Sequence, residues 1–141
     1  MKKYKFGNKS RQSLSNVHPD LVKLCKEVLA LGLFDFGVTC GHRNQEEQDR
    51  LYFEGRSKLQ WPESKHNKRP SHAVDIVLYI NGKPTYEEKD KPGYYMAIGA
   101  FRAIASTLNI PIRVGADWDG DYSVTDQNFH DLPHIELRIN K

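Results

Sequence analysis

Cysteine is scarce in this 141-residue chain, with Cys25 and Cys40 the two examples. Two are too few for a disulfide framework, and neither stands in a CxxC or CxxH spacing, which removes the common zinc ribbons. Both are expected to be buried apolar residues and not ligands. Long hydrophobic runs are also missing: no stretch of about eighteen apolar residues exists, so no membrane insertion is expected. The opening MKKYKFGNKSRQSLS is basic like the start of a secretion signal, yet polar residues follow where its apolar centre would stand. Synthesis in the cytoplasm is expected, with any work outside depending on another way out. There is no repeat, no low-complexity tract and no Pro-, Gly- or Ser-rich linker, so one domain over residues 1–141 is expected. The excess of positive charge is small, +3 from 21 basic and 18 acidic residues. It favours approach to an anionic polymer. The basic segments 2–11 and 65–69 lack the interleaved aromatics that stack on bases, and no nucleic-acid partner is expected.

What is present is material for a modest core: 38% hydrophobic residues, with seven Tyr, six Phe and two Trp. From His18 to Leu31, apolar positions Leu21, Leu24, Cys25, Val28 and Leu31 follow a helical period, behind Pro19 and before Gly32. Phe34 to Cys40 is β-branched and aromatic, predicting a strand that runs into the turn Gly41-His42-Arg43. Asn44 with Glu47 makes a capping box for a second helix that ends near Gly55. Residues 56–71 are polar and hold two prolines, so a loop is expected there. His72 to Ile80 predicts a strand closed by the turn pair Asn81-Gly82, followed by a polar stretch to Pro92. Ala97, Phe101, Ile104 and Leu108 mark a third helix over Tyr94 to Leu108. PIRVGA is a further strand, and Pro133 to Ile139 the last, with the alternation of a half-exposed antiparallel sheet. The expected fold class is α+β, a small antiparallel sheet with three main helices packed around it.

Chemistry-bearing side chains gather in two places. His66, His72 and Asp75 flank one strand end, and His130, Asp131, His134 and Glu136 flank another. In the last strand, His134 and Glu136 share one face, with Ile135 and Leu137 on the other. Asp75 stands between Val74 and Ile76, an expensive position for a carboxylate unless it is paired or coordinated. Catalytic zinc takes three His, Asp or Glu ligands and keeps one place for water. Solvated loop histidines would give the same composition, so the residues alone leave both readings open.

Ser64-Lys65-His66, Ala73-Val74-Asp75 and Asp131-Leu132-Pro133-His134 together resemble the zinc peptidase family of D-alanyl-D-alanine carboxypeptidases and phage L-alanyl-D-glutamate endopeptidases. In that family an SxH…AxD element gives two ligands, and an (E/D)xxH element gives a catalytic carboxylate and the third ligand. The resemblance implies Zn²⁺ on His66, Asp75 and His134, with Asp131 as general base. Thr39-Cys40-Gly41-His42-Arg43 and the Gln-containing helix after it resemble the family's arginine turn. Arg43 is thereby implied at the substrate carbonyl or carboxylate, with Gln48 and Ser64 also on the substrate side. The hedgehog signalling domain shares a related scaffold.

Two departures matter. The family's SxHxxGxAxD pattern is lengthened by two residues, and His72 then competes with His66 as ligand; His66 is preferred because it keeps the leading motif. Asp131 stands where many members carry Glu. The expected activity is hydrolysis of the stem peptide of bacterial peptidoglycan by a monomer, with L-alanyl-D-glutamate endopeptidase favoured for a chain that fits a phage lysin acting in the periplasm or cell wall after release through a membrane pore. The alternatives are a D-alanyl-D-alanine carboxypeptidase and an inactive peptide-binding module. Asp117, Asp119 and Asp121 form a DxDxD run, but Asn128 replaces the closing Glu of an EF-hand. A turn is expected there, with Ca²⁺ binding, implied by related phage enzymes, as the second reading.

Overall fold

The computed structural model describes residues 2–123 and 131–138. In chain order the elements are α1 (Asn8–Leu14), α2 (Pro19–Ala30), β1 (Asp35–Cys40), α3 (Gln45–Phe53), β2 (Ala73–Ile80), β3 (Lys83–Thr85), α4 (Lys91–Leu108), β4 (Ile112–Val114) and β5 (His134–Leu137), with 3₁₀ turns at Lys65–Asn67 and Glu88–Asp90. The fold is α+β, as expected. Every strand pairing is antiparallel, in the order β1-β2-β5-β4, with β3 also on β2.

Strand β2 is the spine because its sequence is apolar on one face and mixed on the other. Val74, Ile76 and Leu78 enter the core with Ile135 and Leu137 of β5, under Leu21, Leu24 and Val28 of α2 and Phe101 and Ala105 of α4. Phe36 of β1 meets Phe101 edge-on at 5.1 Å. Each fully buried side chain of this size is worth about 1.5–3 kcal/mol, so the sheet and the two long helices hold one another. Tyr94 of α4 adds a polar tie, its hydroxyl donating to the Thr85 carbonyl and accepting from Leu78 N–H. The core therefore takes one face of the sheet. Asp75, His134 and Glu136 are left on the other.

Several expectations need adjustment. Helix α1 was not foreseen, since Gly7 gives it no side-chain cap. It is held by tertiary contacts: Leu14 joins the core, and Ser10 Oγ accepts the outward Val38 N–H, which shields the edge of β1. The polar stretch after Asn81-Gly82 contains β3, completing a hairpin in which both turn residues have positive φ. Helix α4 starts three residues before Tyr94, because Pro92 in a first turn needs no N–H partner. Strand β5 is not half-exposed: all four residues are buried, its polar face being covered as well as its apolar one. Its expected last residue, Ile139, lies outside the described residues, as do His130 and Asn128.

Candidate metal centre

The strand register builds the site. Asp75 of β2 stands directly opposite His134 of β5, and opposite Cys40 on β1 where that strand's register is interrupted. His134 Nδ1 lies 3.2 Å from Asp75 Oδ1, and His66 Nε2 lies 3.4 Å from the same oxygen. Asp131 Oδ2 is 3.9 Å from His134 Nδ1. Side chains from a loop, two strands and a turn thus meet on one carboxylate. His72 does not join them; its ring packs edge-on against His18 at 5.5 Å.

Each imidazole is aimed by what its other nitrogen touches. His66 Nδ1 is 2.7 Å from the Gly41 carbonyl, which can only accept, so Nδ1 carries hydrogen and Nε2 turns to Asp75. His66 itself rides on the 3₁₀ turn, where Ser64 Oγ accepts the His66 N–H and the Asn67 side chain closes the reciprocal cap on Ser64 N–H. His134 Nε2 is 2.8 Å from Glu136 Oε1. Trp118 lies over His134, with ring centres 5.4 Å apart.

Asp131 is placed by the backbone. Its N–H donates to the Gly115 carbonyl, Gly115 N–H donates to the His134 carbonyl, and His134 N–H donates to the Asp131 carbonyl. A Cβ on Gly115 would stand 2.0 Å from the Asp131 carbonyl oxygen, so no other residue permits this approach. Gly41 is similar: a Cβ there would meet the Ser13 carbonyl oxygen at 2.2 Å.

The charges respond to this crowding. Burial opposes protonation of His66, but the Asp75 carboxylate outweighs it and lifts the ring to about 10. Burial opposes protonation of His134 too, and hydrogen bonds from its ring to the Asp75 and Glu136 carboxylates raise it to about 8. Asp75 is held well below the usual carboxylate range, the cost of burial being exceeded by the His66 and His134 charges. Asp131 moves upward, chiefly by burial and then by the Asp75 charge. A raised carboxylate in a cleft is suited to accept a proton.

Two residues expected on the substrate side are also engaged with protein, Ser64 while lining the same cavity as His66 and Asp75. Gln48 is fully buried. Its Oε1 accepts from Arg43 Nη1 at 2.9 Å and from Asn67 Nδ2 at 3.2 Å, while its Nε2 donates to Ser57 Oγ and the Leu59 carbonyl. Every amide atom of Gln48 is therefore engaged with protein, and the residue orients Arg43. Ser64 is a buried cap for the His66 turn. Arg43 reaches Asp75 Oδ2 at 3.8 Å. It lines a cavity of about 530 Å³ together with His66, Asp75, Asp131, His134 and Trp118, bordered by Arg50, Arg56, Lys58 and Lys65.

Cys40 was expected to be core, as Cys25 is, whose thiol is pushed by burial to about 12. Cys40 instead is half-buried on the cavity wall, with Sγ 3.6 Å from His66 Nδ1. Sequence reading also passed over Arg113, whose place between Ile112 and Val114 in an apolar strand was a usable signal. Cys40, His66 and Asp75 form one potential metal-holding group, and Asp75, Asp131 and His134 another. Cys40 Sγ is nearest the Nδ1 of His66, and the ligand atoms of Cys40, His66 and Asp75 lie within 4.8 Å of one another. Asp75 belongs to both groups, with Oδ1 3.4 Å from His66 Nε2 and 3.2 Å from His134 Nδ1. His66 Nε2 is buried without a hydrogen-bond partner among the described residues, with Asp75 Oδ1 at 3.4 Å as its nearest charge.

The acidic run folds as a turn. Asp119 and Asp121 each accept a backbone N–H two residues on, and buried Asp117 accepts from Arg102 and from Tyr122 N–H. The three carboxylates still lie within 4.8 Å of one another, and Asp117 Oδ1 has no hydrogen-bond partner among the described residues.

Comparison with known proteins gives the family and the fold. The family model described as phage L-alanyl-D-glutamate peptidase matches residues 2–138. The L-alanyl-D-glutamate peptidase of Escherichia phage T5 is 33% identical over 137 residues, covering 95% of this chain and 98% of that protein. The crystal structure of the Serratia marcescens L-Ala D-Glu endopeptidase ChiX superposes with a TM-score of 0.75 at 28% identity, covering 96% of this chain and 90% of that one.

Proposed function

Since the chain belongs to the phage L-alanyl-D-glutamate peptidase family, we propose that it hydrolyses the L-Ala–D-Glu bond in the stem peptide of bacterial peptidoglycan, using zinc held by His66, Asp75 and His134. The observation that carries the zinc assignment is the convergence of two differently aimed imidazoles on one oxygen of Asp75. Two histidines and a carboxylate, with a fourth place for water, are the donor set of hydrolytic zinc, and thiolate from Cys40 is not needed to complete it.

Bound there, zinc supplies Lewis acidity toward the scissile carbonyl and toward the attacking water. Asp131 stands beside the set and takes the water's proton, then passes it to the leaving amine of D-glutamate. Arg43, fixed by Gln48, offers its guanidinium to the carbonyl oxygen as negative charge develops there, or to the free carboxylate of the glutamate. The cationic border of the cavity suits a stem peptide that carries carboxylates. Action as a monomer in the periplasm or cell wall, after release through a membrane pore, completes the proposal and rests on the likeness to a phage peptidase.

The test is digestion of purified peptidoglycan with mass identification of new amino termini. D-glutamate termini are expected, and termini or release at D-alanine would overturn the bond assignment. Asp131→Asn is expected to lower kcat by roughly 10²–10⁴-fold while one zinc per chain is retained. Loss of the metal together with activity would make Asp131 a ligand instead of the base. For the acidic run, Ca²⁺ is the second reading: a melting-temperature rise with Ca²⁺ that Asp119→Ala removes assigns a cation, and no rise leaves the run a turn.

A further inference from the structure

Glu136 has no part in the chemistry above, yet it is one of the most confined charges in the fold. It is 5% exposed, in the middle of the sheet between β2 and β4. Taking a carboxylate out of water at such a place costs several kcal/mol unless its oxygens are matched. Both are matched, by different partners. Arg113 on the neighbouring strand puts Nε at 3.0 Å and Nη2 at 2.9 Å from Oε2. Oε1 is given to His134 Nε2 at 2.8 Å.

That division decides between two explanations. Arg113 and Glu136 are cross-strand partners, and a pair that served the sheet alone would be best made as a fork, one guanidinium nitrogen to each oxygen. Here both nitrogens fall on the same oxygen and the other is kept for the imidazole. Arg113 is in turn held over the Trp118 ring, 5.3 Å from its centre, and Trp118 lies against His134. The imidazole is thus gripped from its far edge and from one face.

We propose that Glu136, held by Arg113, is a positioning residue that fixes the His134 proton on Nε2 and turns the Nδ1 lone pair toward Asp75, thereby setting how tightly the chain holds its metal. Carboxylates that accept the distal N–H of a ligating histidine orient the ring and raise its basicity, and their loss typically costs 10–100-fold in affinity. The inference rests on the assignment of His134 as ligand and adds Glu136 and Arg113 to it.

The measurement is zinc affinity of the full chain by competition with a chromophoric chelator, alongside circular dichroism to confirm folding. Glu136→Leu removes both charge and acceptor, and a roughly 10–100-fold weaker zinc complex is expected. Glu136→Gln keeps an acceptor for the ring N–H and should recover part of that loss. A zinc affinity within twofold of wild type in folded Glu136→Leu would overturn the proposal. Should that variant not fold, ¹⁵N-edited NMR of the zinc-loaded wild type decides: hydrogen on His134 Nε2 supports it, and hydrogen on Nδ1 sinks it. His134→Ala separates the two levels. If it binds zinc like wild type, the ligand assignment itself fails; if it loses zinc while Glu136→Leu does not, only the role of Glu136 fails.

Discussion

His66 and His134 face Asp75 with different nitrogens, Nε2 of one and Nδ1 of the other, because the remaining nitrogen of each is committed to a carbonyl or a carboxylate. Without metal, both rings are held protonated by the carboxylate between them. A histidine whose folded value is raised contributes stability that is complete below its unfolded value near 6.5 and is lost as pH rises through the folded one. With His134 near 8 and His66 near 10, the metal-free protein should lose melting temperature steadily from about pH 7 to pH 10. Asp75 works in the opposite range, its contribution fading only as pH falls below about 4. Thermal melts of chelated protein across this span check the sign; a melting temperature that rises toward pH 10 contradicts it. Zinc must displace the same protons, so its association constant should grow at least tenfold per unit between about pH 6 and 8.

The strands and turns locate these side chains, and their tolerances are tight. Gly115 admits the Asp131 carbonyl at a distance no Cβ allows. Gly115→Ala must push the 131–134 turn off the sheet, and since a misplacement near 1 Å can cost about 10²-fold, kcat/KM should fall by roughly that factor. Steady-state kinetics on the folded variant test this, and unchanged kcat/KM would show that the turn is not what places Asp131. Much at this scale was legible in advance. The capping box of Asn44 and Glu47, the alternation in β2 and the helical period of α2 and α4 are local patterns, and each appears where it was expected. Helix α1 and strand β3 were not legible, because one is held by Ser10 and Leu14 against distant strands and the other by its pairing with β2. At the site, the convergence of His66, Asp75, Asp131 and His134 followed the motifs. The inward turn of Gln48 and the place of half-buried Cys40 on the cavity wall did not, since both depend on what the loop 56–64 and the strand irregularity at Thr39 do in three dimensions.

Considered as one body, the molecule is a sheet with its hydrophobic core on one face and its charged centre on the other, so a metal bound there would tie elements that the core does not. Loop 56–71, β2 and β5 are joined at the centre, and zinc at about a thousand times its dissociation constant should add about 4 kcal/mol. For a chain of this size that is a rise of roughly 10–15 °C in melting temperature, reversible with chelator; a shift below about 2 °C at saturation would mean the elements are already locked without it. The pairing of Asp75 with His134 across adjacent strands has a consequence for how such proteins are recognised. The distance between Asp75 and His134 is set by a rung of the ladder, whereas the segment from Asn67 to His72 carries the chain from the His66 turn into β2. Two additional residues there leave the Asp75–His134 rung untouched, so a search template that demands a constant gap between the first histidine and the aspartate would discard chains that one scoring the strand pairing would keep.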